Sequence, residues 1–212
     1  GIRLEKGVGF HVEDVTIDLA APNGHAVTVG NNGGRTRIDD TEITVGDRVN
    51  HAIVVQPGAR ETLIFDTDVE IGGGGNAVHV EGDGGRVVCK RMLVWGQASG
   101  ATFRHAIRCG RDGCEVRKTK IWQPGPDRRR AIVLDGDDCV IYDCVCKSRH
   151  YPLWANGDRG WIEANHLESY DDYPAIRLND ESANVTVKDN VIVNSIDDQG
   201  SAGLQIYGNE WR

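Results

Sequence analysis

The chain has 212 residues and a mass of 23.2 kDa, room for one ordinary domain and too little for two large catalytic ones. Hydrophobic residues make up 39% and charged residues 26%, and no apolar run approaches the roughly 18 residues of a membrane-spanning helix, so a membrane span is excluded. A net charge of -8 argues against a surface built to neutralise phosphates, which sets nucleic acid aside as a main partner despite the basic knot at Arg128, Arg129 and Arg130.

In chain order, one five-residue phrase recurs: His25-Ala26-Val27-Thr28-Val29, His51-Ala52-Ile53-Val54-Val55, Asn76-Ala77-Val78-His79-Val80, His105-Ala106-Ile107-Arg108-Cys109, Arg130-Ala131-Ile132-Val133-Leu134 and Pro174-Ala175-Ile176-Arg177-Leu178. Its alanines step by 26, 25, 29, 25 and 44 residues, and the double step accommodates a degenerate copy at Leu153-Trp154-Ala155. A last partial copy is read at Leu204-Gln205-Ile206. Between the copies runs an apolar pair five residues apart: Val12/Ile17, Ile38/Ile43, Ile64/Val69, Val88/Leu93, Val116/Ile121, Ile141/Cys146, Ile162/Leu167 and Val187/Ile192. Both phrases are short, β-branched and alternating, which is strand periodicity, and no stretch has helical spacing over three turns.

A unit of about 25 residues with two or three short strands cannot bury its apolar side alone, so successive units must stack and share one core. The expected fold is all-β, a parallel β-solenoid of about eight coils that would form a rod on the order of 40 Å long. Residues 1–212 read as a single β-helix domain, a segment of a larger chain. Both ends look uncapped, which exposes a sheet edge and points to a partner chain, self-association as a homo-oligomer, or missing sequence.

Within the second phrase, Asp14, Asp40, Asp66, Lys90, Lys118, Asp143, Ala164 and Asp189 fall in the bend between strands, each followed by a residue such as Thr41, Thr67, Arg91, Thr119, Cys144, Asn165 or Asn190. Short polar side chains there can satisfy turn backbone groups the ladders leave unpaired.

This repeat resembles the right-handed parallel β-helix superfamily, the pectate-lyase-like fold, over essentially the whole chain. The resemblance implies carbohydrate as the substrate or ligand class, since that superfamily holds polysaccharide lyases and hydrolases, phage tailspikes and non-catalytic surface proteins. The N-T-D, G-H-G and R-I-K motifs of polygalacturonases, the D-P-H-D of mannuronan epimerases and the R-x-P-x-x-R of pectate lyases are absent. Trp161-Ile162-Glu163-Ala164-Asn165-His166 echoes a pectate-lyase W-I-D-H, but it is lengthened by two residues and occupies a repeat phrase.

In the first phrase, residues between and just after the inward apolar positions face outward. Those places hold Thr28 and Gly30, Val54 and Gln56, His79 and Glu81, Arg108 and Gly110, Val133 and Asp135, Trp154 and Asn156, Arg177 and Asn179, then Gln205 and Tyr207. Glu81 and Asp135, two coils apart with Gly110 between, should stand about 9.6 Å apart at their Cα atoms. That spacing suits the acid and base of an inverting glycoside hydrolase. His79, Arg108, Trp154, Asn156, Arg177 and Asn179 would bind substrate, the arginines pairing with acidic sugars. The expectation is a carbohydrate-directed β-helix that binds or cleaves an acidic polysaccharide; the alternative is a non-catalytic fibre, spike or adhesin segment. Either role places it outside the cell, at a cell surface or on a virion.

Longer connections at Gly96 to Arg104 and Trp122 to Arg130, with Trp95, Trp122, Trp154, Trp161 and the tyrosines 151, 170 and 173, suggest an aromatic edge that could contact sugar. His25, His51 and His105 share one slot and read as a stack of turn residues. Cys89, Cys114 and Cys139 step by 25 and read as one column, with Cys109, Cys144 and Cys146 inward, all buried reduced thiols. The cysteine spacing is not that of a zinc site, and neither a metal nor a cofactor is assigned to the site. Of the aspartate pairs that could hold calcium, Asp39-Asp40, Asp137-Asp138 and Asp171-Asp172, the last is the best placed, although nothing resembles an EF-hand. An excess of Asp (21) over Glu (11), with only six lysines, fits a salt-adapted source.

Overall fold

The computed structural model of the chain describes residues 1–20, 24–46, 51–96, 105–125 and 129–212. Among them the regular structure is strand alone, laid down as three parallel sheets of nine strands. Consecutive strands visit sheets A, B and C in turn, so hydrogen-bonded neighbours are three elements apart in sequence. Sheet A runs through Ile2–Leu4, His25–Val29, His51–Val55, Asn76–Val80, His105–Cys109, Arg130–Leu134, Leu153–Ala155, Ile176–Leu178 and Ile196–Asp198. Sheet B runs from Phe10–Glu13 to Gln205–Tyr207, and sheet C from Thr16–Leu19 to Glu210–Trp211. From its first strand the chain returns to sheet A eight times, the solenoid expected from the repeat.

The repeat dictates this because identical places in successive coils fall in register. Val27, Ile53, Val78, Ile107, Ile132, Leu153 and Ile176 pair in one inward file and are each 0% exposed. The phrase alanines are also fully buried, adding no side-chain polar group where the chain enters the strand. A second file joins Val12, Ile38, Ile64, Cys89, Val116, Ile141, Ile162 and Val187 across sheet B. Burying roughly a methylene-rich side chain per strand per coil stabilises each lap by about 2 kcal/mol per side chain, which no isolated coil could retain.

Sheet B passes to sheet C through a bend of one left-handed residue: Asp14, Asp40, Asp66, Arg91, Lys118, Asp143, Ala164 and Asp189 all have φ between 43° and 58°. Asp and Asn tolerate this region better than most side chains. The next residue turns inward and closes the bend. Thr41 and Thr67 donate to the carbonyls of Asp39 and Phe65 at 2.8 Å. Buried Asn165 and Asn190 and half-buried Asn209 form a ladder, in which each Oδ1 accepts the backbone N–H of the equivalent residue one coil earlier at 2.9 Å.

Three expectations shift register. The left-handed residue in the fourth bend is Arg91, not Lys90, because Cys89 rather than Val88 occupies the inward file. Val87, Val88 and Cys89 are all apolar and all buried, so alternation does not separate the two settings. Consequently Cys114 and Cys139 share a column, flanking the paired Glu115 and Val140, while Cys89 pairs with Val116 two places further on. All six thiols are buried and free. Finally, Gln205 and Tyr207 belong to sheet B, and sheet A ends instead on Ile196–Asp198, whose polar Asp197 and Asp198 hide the phrase.

Candidate functional site

The outer face of sheet A carries two parallel files. Register places Arg3, Thr28, Val54, His79, Arg108, Val133, Trp154, Arg177 and Asp197 in one. The second lies just past the strand ends, where backbone bonds from Glu81 to Val55, Gly110 to Val80, Asp135 to Cys109, Asn156 to Leu134 and Asn179 to Ala155 continue the ladder at 2.7 to 3.1 Å. Every residue expected at the site is therefore on this face, half-buried, and in coil order.

Glu81 and Asp135 line one shallow cleft of about 220 Å³ with His79, Arg108 and Gly110. Gly110 lies between them, and only glycine fits there, since a Cβ would lie 2.3 Å from the Val80 carbonyl oxygen. The two carboxylates are not equivalent. Glu81 is 41% exposed and has His79 Nε2 at 3.4 Å. Asp135 is held on both oxygens: Arg108 Nε donates to Oδ2 at 2.6 Å and the Asn156 amide donates to Oδ1.

From Asp135 the bonding continues up the stack. Asn179 Nδ2 donates to Asn156 Oδ1 at 2.6 Å, and Arg177 Nε donates to Asn179 Oδ1 at 3.4 Å. Arg177 also donates to the Tyr151 hydroxyl at 3.1 Å and lies 3.8 Å from the Asp197 carboxylate. Thus a continuous polar chain joins Arg108 to Arg177 across four coils, and it fixes rotamers that an exposed face would otherwise leave free.

Trp154 lies between two arginines. The Arg130 guanidinium carbon lies 3.4 Å from its ring centroid and that of Arg177 4.8 Å, so the indole is engaged by two cations. Burial, with Arg177 adding to it, pushes the Arg130 guanidinium down to about 10. The half-buried indole thereby holds two guanidinium groups beside it on the sheet A face. Tyr151, Tyr173 and His150 pack beside it, with ring centroids 4.3 to 5.7 Å apart.

The expected single aromatic edge is instead spread over three faces. Trp154 lies on sheet A, Trp161 on sheet B, and Trp95 and Trp122 pair in register on sheet C, where they are 37% and 52% exposed. The long connections expected to build a wall fall largely on residues 97–104 and 126–128, which lie outside the described residues, as does Arg128. The histidine stack forms at His25 and His51, with centroids 5.3 Å apart, and gains His79 at 4.4 Å from His51. Sequence reading missed that addition, because His79 reaches the stack from an outward strand position.

Asp171 faces Arg149 at 3.7 Å. The groups of three ligating side chains found among the described residues gather around Asp39 instead. Among the described residues there is no helix long and apolar enough to cross a membrane.

No protein-family model matches this chain, and no curated protein matches it. Among solved structures, trypsin-treated QnrB1, a plasmid-mediated fluoroquinolone resistance protein, is similar over 96% of this chain and 91% of its own, at 6% identity and a TM-score of 0.28. The solenoid is read from the strand register itself.

Proposed function

We propose that this chain is a carbohydrate-binding β-solenoid that holds an acidic polysaccharide along the outer face of sheet A, between His79 and Asn179. The observation that carries the reading is the bonded row from Arg108 through Asp135, Asn156 and Asn179 to Arg177. Two guanidinium groups three coils apart stand about 14 Å apart along the stack, with amides between them. Such a row matches carboxylates and hydroxyls repeating along an extended polymer, because guanidinium pairs with carboxylate through directed, charge-assisted bonds. Pre-set rotamers lower the ordering cost of binding.

The same geometry favours binding over cleavage. A general acid needs an oxygen free to carry and deliver a proton, and both Asp135 oxygens already accept bonds, one from a guanidinium. The experiment is affinity electrophoresis through gels containing uronic-acid polymers, neutral glucans or sulfated glycans, with reducing ends and unsaturated products assayed in parallel. Retardation by uronic polymers, lost in Arg108→Ala/Arg177→Ala, without product release, is the expected result. Release that disappears in Glu81→Gln or Asp135→Asn would make the chain an enzyme instead. No retardation by any polymer removes the carbohydrate reading.

A scaffold role, as a fibre, spike or adhesin segment at a cell surface or virion, is favoured by one further observation. Buried Arg111 lashes three coils together, donating to the carbonyls of Gln56, Ala59, Glu81 and Gly85 at 2.7 to 3.2 Å. These bonds fix three coils relative to one another through backbone groups, a contribution to rigidity that needs no ligand.

A further inference from the structure

The outer face of sheet B holds a cluster unconnected with the sheet A row. His11 and Glu13 alternate on the outward side of Phe10–Glu13, and Asp39 stands opposite Glu13 in register on Thr36–Asp39. One ligating atom from each lies within 4.8 Å of the other two. His11 and Glu13 are about half exposed, but Asp39 is only 3% exposed. The Arg37 guanidinium occupies Asp39 Oδ2, with Nε at 2.9 Å, whereas Oδ1 is buried and has no hydrogen-bond partner.

A buried carboxylate oxygen without a donor is costly, and the shortfall points to a missing electrophile. We propose that His11, Glu13 and Asp39 form a site for a first-row divalent transition-metal ion that ties the first coil to the second. Ligand atoms around an ion with bonds of about 2.1 Å stand about 3.0 to 4.2 Å apart, so small rotations of the two exposed side chains close the group. One imidazole nitrogen with two carboxylates suits Zn²⁺, Co²⁺, Ni²⁺ or Mn²⁺, while Ca²⁺ prefers oxygen throughout. Arg37 then serves as the outer partner that orients the buried ligand. Three protein ligands leave the outward positions to water.

A neighbouring group, Asp39 with Asp40 and Asp66, shares the buried carboxylate. Asp66 is already bound by both arms of Arg91, with Nε at 2.6 Å, so its charge is compensated. That leaves His11 and Glu13 as the group around Asp39 whose acids are not both bound by the two arms of an arginine.

The test is calorimetric titration of the full chain with ZnCl₂ and, separately, CaCl₂, repeated on His11→Ala and Glu13→Gln, with circular dichroism as the check on folding. Both substitutions are at exposed positions, so the fold is retained even where Asp39→Asn would perturb it. The expected result is one Zn²⁺ site that each variant weakens by about tenfold or more, with Ca²⁺ binding much weaker. Absence of Zn²⁺ binding, binding untouched by either substitution, or equal affinity for Ca²⁺ would overturn the assignment.

Discussion

Arg108 and Asp135 sit on successive coils, and the guanidinium Nε of one lies 2.6 Å from the carboxylate Oδ2 of the other. Their side chains are 43% and 23% exposed, so the pair contributes little to stability, about 1 kcal/mol or less. Its value lies in orientation. Asp135→Asn should leave the melting temperature nearly unchanged while loosening Arg108 and weakening retention by uronic polymers severalfold. Thermal scans and affinity electrophoresis on the same preparation check both halves.

The internal asparagine ladder is a stability feature. Asn190 is 1% exposed and its Oδ1 accepts the backbone N–H and side-chain amide of Asn165, both at 2.9 Å. Its own amide donates to the carbonyls of Ile162 and Lys188 at 2.9 Å. Asn190→Ala strands a buried backbone donor and leaves a cavity, and should cost about 2 kcal/mol or more in urea unfolding. An unchanged midpoint would mean the ladder is ornamental.

Arg111 should be still less replaceable. Removing its guanidinium takes a donor from four carbonyls on the two preceding coils, those of Glu81 and Gly85 among them, and Arg111→Met should destabilise by about 3 kcal/mol or more. Gly84→Ala should act through the same residue, since a Cβ there would stand 2.3 Å from Arg111 Nη1 and 2.7 Å from the Ala59 carbonyl oxygen. Denaturation curves of the two single variants and the double variant should be markedly non-additive.

Stability should fall in acid through His105. Burial first, then the charges of Arg130, Arg108, Arg129 and His79, push its imidazole from 6.5 down to about 3. Between those values the unfolded chain binds a proton that the folded chain refuses, so stability drops as pH falls from about 6.5 towards 3. Carboxylates titrate in the lower half of that window, so the informative quantity is a difference. His105→Asn, which places there the residue its neighbour Asn76 already supplies in the same file, should flatten the slope between pH 6.5 and 5. Equal slopes in both proteins would assign the acid sensitivity elsewhere.

Much of the fold is legible in the sequence because alanine followed by a β-branched pair recurs at a nearly constant interval, and stacked coils need no other information to find their register. Legibility fails where alternation is lost. Val87, Val88 and Cys89 offer two apolar settings, and Ser195-Ile196-Asp197-Asp198 offers too little apolar contrast to mark a strand. The sheet A face was readable as a set of outward positions, but its chemistry was not. Whether Asp135 is a free carboxylate or a bonded one depends on rotamers of Arg108 and Asn156, which belong to different coils. The His11, Glu13 and Asp39 group was hidden for a similar reason, since Asp39 reads along the chain as half of an aspartate pair and gains its other neighbours only through register.

An acidic glycan is proposed to lie along the sheet A row. The most direct measurement is a two-dimensional NMR titration of the labelled chain with uronic-acid oligosaccharides. Binding on this account shifts the Trp154 indole, the Asn156 and Asn179 amides and the Arg108 and Arg177 guanidinium signals together, with one affinity. Shifts centred on Trp95 and Trp122 of sheet C, or no shifts at saturating oligosaccharide, would contradict it.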